Sequence, residues 1–161
     1  MKNISPAQKC LEIFNIKFKH FKRRSSWSPF LFTDFTYTND GVPKNPNNPF
    51  YTISSAFNPL GTNYIDLGLG GFLNNSSFNG MFKVSSLRNI ALTAPYFHNG
   101  SFNTLEDVVH FYNVRDVPGS GFPVPEVPAN VDTAETGNLH LTPQEEKDIV
   151  AFLKTLTDGF K

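Results

Sequence analysis

Cysteine is nearly absent. The single residue Cys10 in 161 excludes an internal disulfide and any multi-thiolate metal site. It equally excludes a C-x-x-C-H segment, which needs two cysteines. Charge is also sparse, at 17% of residues, too little for wholesale disorder. Fourteen Lys and Arg balance fourteen Asp and Glu, which removes any overall electrostatic case for nucleic acid or for an acidic partner. No stretch approaches the roughly 18 apolar residues of a membrane helix. The opening Met1-Lys2-Asn3-Ile4-Ser5-Pro6 has no apolar h-region of a secretory signal, so a chain made as written is expected to stay in the cytoplasm.

Loop formers and flat rings are abundant instead. Glycine (11), proline (12) and asparagine (17) make up a quarter of the chain and predict a few helices joined by long irregular loops. Phenylalanine (17) outnumbers leucine (13), so aromatic rings must fill much of the interior or line a site for something flat. The zero net charge conceals an asymmetry. Residues 1–44 carry eight Lys and Arg against three Asp and Glu, and residues 45–161 carry six against eleven.

Three segments read as helices. Ser5, Pro6 and Gln8 form an N-terminal signature ahead of an apolar face of Ala7, Cys10, Leu11 and Phe14. Thr104 caps a second helix, whose Leu105, Val108, Val109 and Tyr112 share a face. Thr142-Pro143-Gln144-Glu145 is a capping box for a third, with Ile149, Val150, Phe152, Leu153 and Leu156 inward and Gly159 as terminator. Between them, residues 38–80 show little periodicity. The proline-rich segment 117–138 reads as an extended strap, a length of loop that usually serves a site or wraps a ligand.

The most informative run is Met81-Phe-Lys-Val-Ser-Ser-Leu-Arg-Asn-Ile-Ala-Leu-Thr-Ala-Pro-Tyr-Phe-His-Asn-Gly100, which leads into the second helix. It offers Arg88, a possible carboxylate clamp, and His98, a metal ligand or proton carrier, with Tyr112 just beyond. A tyrosine phenolate can ligate ferric iron. By chemistry alone, a loop-bound histidine and a core tyrosine are the more ordinary roles for His98 and Tyr112.

This run, continued by Gly137-Asn-Leu-His-Leu-Thr-Pro-Gln-Glu-Glu146 and the third helix, resembles the C-terminal half of bacterial di-haem cytochrome c peroxidases, nearest to the methylamine-utilisation (MauG-like) branch. The resemblance extends to Leu31-Phe-Thr-Asp-Phe35 and Gly41-Val-Pro-Lys-Asn-Pro46. It implies a mainly α, cytochrome c-like domain and a c-type haem that passes electrons to a second, peroxide-reactive haem. It further implies a missing N-terminal peroxidatic domain as partner, a small redox protein as electron donor, and a periplasmic home. Residue by residue, it places Tyr112 at the far axial position of the iron, His98 near the haem and Arg88 at a propionate. It assigns the backbone carbonyls of Thr93 and Pro95 to a calcium ion held between the two domains.

One segment departs from the family. Residues 1–28 comprise the first helix and an aberrant basic stretch where C-x-x-C-H is expected, and 29–161 form the rest of a single domain. Five of the eight residues 17–24 are Lys or Arg, and the flanks match again on both sides. Covalent haem attachment is therefore impossible for this chain as written. Compensating frameshifts across the segment would account for the pattern. His20 as proximal ligand of a non-covalent haem is a rival reading, and a solvated basic loop is the plain one. Two functions follow: the electron-transfer haem domain of a hydrogen peroxide-dependent oxidoreductase, inactive alone, or a non-enzymatic chain that is either a haemless cytochrome c-like remnant or a binding module.

Overall fold

The computed structural model describes residues 32–159. The first expected helix, Cys10, His20 and the basic stretch 17–24 lie outside them. The elements present are few. Strands β1 (Tyr37–Thr38) and β2 (Phe82–Lys83) pair antiparallel, with Tyr37 opposite Lys83 and Thr38 opposite Phe82. Helix α1 (Leu69–Leu73) is a little over one turn; α2 (Leu105–Val114) and α3 (Pro143–Thr155) are the two substantial helices. Short 3-10 turns punctuate the rest. Helices are thus the longest elements and long irregular segments join them, as expected; among the described residues irregular backbone predominates, so a mainly α content is not borne out there. The glycine, proline and asparagine content is the physical reason.

Helices α2 and α3 form where their caps predict. The Thr104 hydroxyl accepts the Asp107 backbone N–H at 3.1 Å. The capping box of α3 is complete, with Glu145 Oε2 accepting the Thr142 N–H at 2.7 Å. Helix α3 ends at Thr155 with Leu156 as its C-cap, so Gly159 is not its terminator. The two helices face each other through Leu105, Val108, Val109, Ile149, Val150 and Leu153, with Phe111 fully buried between them and the loops. Asn113, on α2, fastens the approach to α3: its amide donates to the Leu141 carbonyl at 3.0 Å and its Oδ1 accepts the Leu141 N–H at 2.9 Å.

The strap 117–138 is extended as expected, but it is anchored along its length rather than merely crossing the surface. Isolated bridges join Pro43 to Pro125 and Asn39 to Val131. The Asn39 amide donates to the carbonyls of Val127 and Ala129 at 2.9 and 2.7 Å. The strap then returns to the end of α2, where the Gly137 N–H donates to the Tyr112 carbonyl at 2.7 Å. Gly137 has φ +96°, and a Cβ there would collide with Asp116 and Arg115, so only glycine allows this close return.

Buried Arg115 is the knot that holds these segments together. Its guanidinium donates to both carboxylate oxygens of Asp116 at 2.8 and 2.7 Å. It also donates to the Asp132 carbonyl at 2.8 Å, the Thr136 hydroxyl at 3.1 Å and the Asp40 carbonyl. A buried guanidinium is tolerable only when its donors are satisfied in this way. The result ties the end of α2, the 39–41 loop and the strap into one wall.

Candidate functional site

That wall bounds a cavity of about 530 Å³. Its size is that of a small-molecule or cofactor pocket, for which roughly 300–1,000 Å³ is usual. The lining is largely aromatic and aliphatic. Phe32, Phe82, Tyr96, Phe97 and Tyr112 contribute rings, and Leu105, Val108, Ile149 and Leu153 contribute the inner faces of α2 and α3. Phe97 meets Phe102, Phe111 and Tyr112 edge-on, with centroids at 5.2, 5.5 and 5.6 Å, a preferred aromatic geometry that fixes the ring of Tyr112 in place.

Tyr112 follows from helical spacing: Val108 and Val109, one turn earlier on α2, line the same cavity. Its hydroxyl donates to Asp40 Oδ2 at 2.9 Å. Burial, helped by the neighbouring carboxylate, holds the phenol well above its ordinary pKa, so it is protonated in the ligand-free chain. Burial likewise raises Asp40 from 3.8 to about 6, although the hydrogen bond from Tyr112 works in the opposite direction. Tyr112 and Asp40 both line the cavity and are joined by this hydrogen bond.

His98 lines the same cavity. Its ring stacks flat on Phe82, with centroids 3.6 Å apart and planes 7° from parallel. Nε2 lies 4.0 Å from Glu126 Oε2. Desolvation lowers the pKa of His98 and raises that of Glu126. Thr93 and Pro95 also line the cavity, and the Thr93 hydroxyl donates to the Ile90 carbonyl at 3.1 Å. Arg88 stands apart. Its side chain is exposed and does not border the cavity; its guanidinium lies 5.7 Å from the centroid of Phe32, which does. Of the residues singled out by sequence, the structure thus gathers Tyr112, His98, Thr93 and Pro95, and leaves Arg88 one ring away.

Three polar residues of this region escape sequence reasoning. Asp40 and Glu126 come to Tyr112 and His98 from loops that carry no periodicity, and only the tertiary fold brings them there. Arg115 had a usable signal: it lies three residues after Tyr112, on the same side of the helix. His110 and His140 are exposed, and His110 bonds Glu146 through Nδ1 at 3.0 Å.

The cavity suits a mostly apolar group; of its two tyrosines, Tyr96 donates its hydroxyl to the Ile90 carbonyl at 3.0 Å and Tyr112 donates to Asp40. A haem fits that description, and a phenolate is a recognised ligand for its iron. Thioether attachment does not fit, since Cys10 is the only thiol of the chain. For calcium, no group of three or more His, Cys, Asp or Glu side chains among the described residues is placed to hold a metal ion. The Thr93 and Pro95 carbonyls would supply only part of a shell that takes 6–8 oxygens. No helix among the described residues is long and apolar enough to cross a membrane.

No family model matches the chain. Individual proteins do. The methylamine utilization protein MauG of Paracoccus denitrificans is 33% identical over 159 residues, covering 90% of this chain and 40% of that protein. The cytochrome-c peroxidase IdrP2 of a Pseudomonas species is 35% identical over 127 residues, covering 73% of this chain and 31% of the relative. Among solved structures, the diheme peroxidase BthA of Burkholderia thailandensis superposes with a TM-score of 0.72 at 26% identity, over 98% of this chain and 44% of the other. A MauG-like protein associated with microbial copper homeostasis gives 0.65 at 24% identity and speaks for the fold alone. The chain therefore spans less than half the length of these relatives.

Proposed function

Because this chain belongs to the family of MauG and the bacterial di-haem cytochrome c peroxidases, we propose that its cavity is a haem site and that the chain corresponds to the electron-transfer haem domain of such an oxidoreductase. The single observation that carries this reading is Tyr112 among the residues lining a largely aromatic and aliphatic cavity of about 530 Å³. When bound, a haem supplies the one-electron chemistry, and the protein's share is to bury, orient and tune it.

The residues divide that share as follows. The rings of Phe32, Phe82 and Phe97 and the apolar faces of α2 and α3 exclude water and hold the macrocycle. Tyr112 offers an oxygen ligand that favours oxidised iron. Asp40 holds the phenol proton of the ligand-free chain through its 2.9 Å hydrogen bond. His98, pinned against Phe82, presents a neutral imidazole to the cavity. Arg88, exposed and outside the cavity lining, would meet a propionate only beyond Phe32. The Thr93 and Pro95 carbonyls are offered to a calcium ion whose other ligands come from outside this chain.

Peroxide reduction in this family is a task for two haem domains; we assign the region described to the electron-passing one, with a peroxidatic domain and a small redox protein donor as partners, in the periplasm. A second reading is favoured by a specific fact: with one cysteine, no thioether pair can form. Any haem is then held without covalent bonds, or the domain persists as a haemless binding module. The optical spectrum separates these. The account expects a Soret band on addition of ferric haem that acid-acetone extraction removes completely. A band that resists extraction would contradict the non-covalent site, and no saturable band would leave only the binding module.

A further inference from the structure

Glu126 belongs to the strap, outside every motif that carries the family resemblance, yet it borders two cavities. One is the large cavity described above; the other, of about 250 Å³, is an open pocket whose lining includes Tyr51, Tyr64, Asp66 and Asn99. Its side chain is only 4% exposed. One carboxylate oxygen, Oε1, accepts the Tyr51 hydroxyl at 3.4 Å, and the other, Oε2, faces His98 Nε2 at 4.0 Å. The histidine, 15% exposed, has its ring plane already fixed by Phe82. Stacking leaves it little freedom except to slide or turn within that plane.

We propose that Glu126 is the positioning residue of His98: its Oε2 accepts the Nε2–H, which fixes the imidazole tautomer and leaves the Nδ1 lone pair for whatever occupies the large cavity. The 4.0 Å separation lies outside hydrogen-bond range, but closing it needs a carboxylate movement of about 1 Å. The incentive is electrostatic, because both side chains are largely shielded from water and an N–H facing a carboxylate is attracted more strongly there than in solvent. Neutral imidazole carries one N–H, so the hydrogen bond made by one nitrogen sets the state of the other. Tyr51 serves the same end by holding the opposite oxygen.

That His98 serves a bound haem rests on the reading above; that Glu126 orients His98 does not. The test therefore uses the full-length, ligand-free chain with 15N-labelled histidine. His98 is assigned by its loss in His98→Asn, and the exchange of its ring N–H with water is measured. The expected result is an Nε2–H that exchanges at least about tenfold more slowly than the ring protons of exposed His110 and His140, as a buried hydrogen bond requires. Glu126→Gln, which keeps an acceptor oxygen, should retain most of this protection. Glu126→Asp, which withdraws the carboxylate by one methylene, should lose it while leaving the thermal midpoint near that of the parent. Protection unchanged in Glu126→Asp, or absent from the parent chain, would overturn the proposal. Haem titration of the same samples reports on the haem reading separately.

Discussion

Tyr112 and Asp40 are hydrogen-bonded to each other among the residues that line the cavity, and their pairing carries a pH signature. Burial raises Asp40 from 3.8 to about 6, so the unfolded chain releases this proton first as pH rises. The group's contribution to folding is complete below about pH 4 and is lost as pH climbs through about 6. At most about 3 kcal/mol of stability is involved, since one pKa unit corresponds to roughly 1.4 kcal/mol. Asp40→Asn removes this dependence. Denaturant unfolding of the ligand-free chain at pH 4.5 and pH 7 should therefore show a smaller stability difference in the variant than in the parent; an equal difference would contradict a buried, protonatable Asp40. Of this pair, only Tyr112 was legible in sequence, through its place on a helix face and in a recognisable run. Asp40 was not, because its contact spans 72 positions and comes from a loop with no repeating pattern.

At the scale of elements, local chemistry spoke clearly wherever a cap was present. Thr104 and Thr142 announce α2 and α3, and the structure realises both caps. Thr142→Ala should destabilise the fold by about 1 kcal/mol, the usual value of an N-cap hydrogen bond, and should lower the thermal midpoint without altering the cavity. A neutral outcome would mean that packing of Ile149 and Leu153 alone sustains the start of α3. The strap was legible as extended from its prolines, but its role was not. Asn39, Arg115 and Gly137 dock it through long-range hydrogen bonds and a glycine-only approach, none of which leaves a periodic trace. In the same way Arg88, prominent within the sequence run, sits over Phe32 rather than at the cavity, because position within a motif does not fix where a long side chain ends.

At the scale of the whole molecule, two facts pull against each other. The described residues line a largely aromatic and aliphatic cavity that carries the Tyr112 phenol, and they superpose on part of a di-haem peroxidase. The sequence, however, holds a single thiol and less than half the length of its relatives. A cytochrome-like chain that binds its cofactor without thioethers must gain all its haem affinity from packing and from the iron ligands, so the loss of one ligand should be plainly visible. The decisive measurement is a ferric haem titration of the full chain beside Tyr112→Phe, followed by absorption and resonance Raman spectroscopy. The account predicts one-to-one saturable binding with phenolate-to-iron charge-transfer features in the parent, and their disappearance in Tyr112→Phe. Identical spectra for the two proteins, or no saturable binding by the parent, would contradict it.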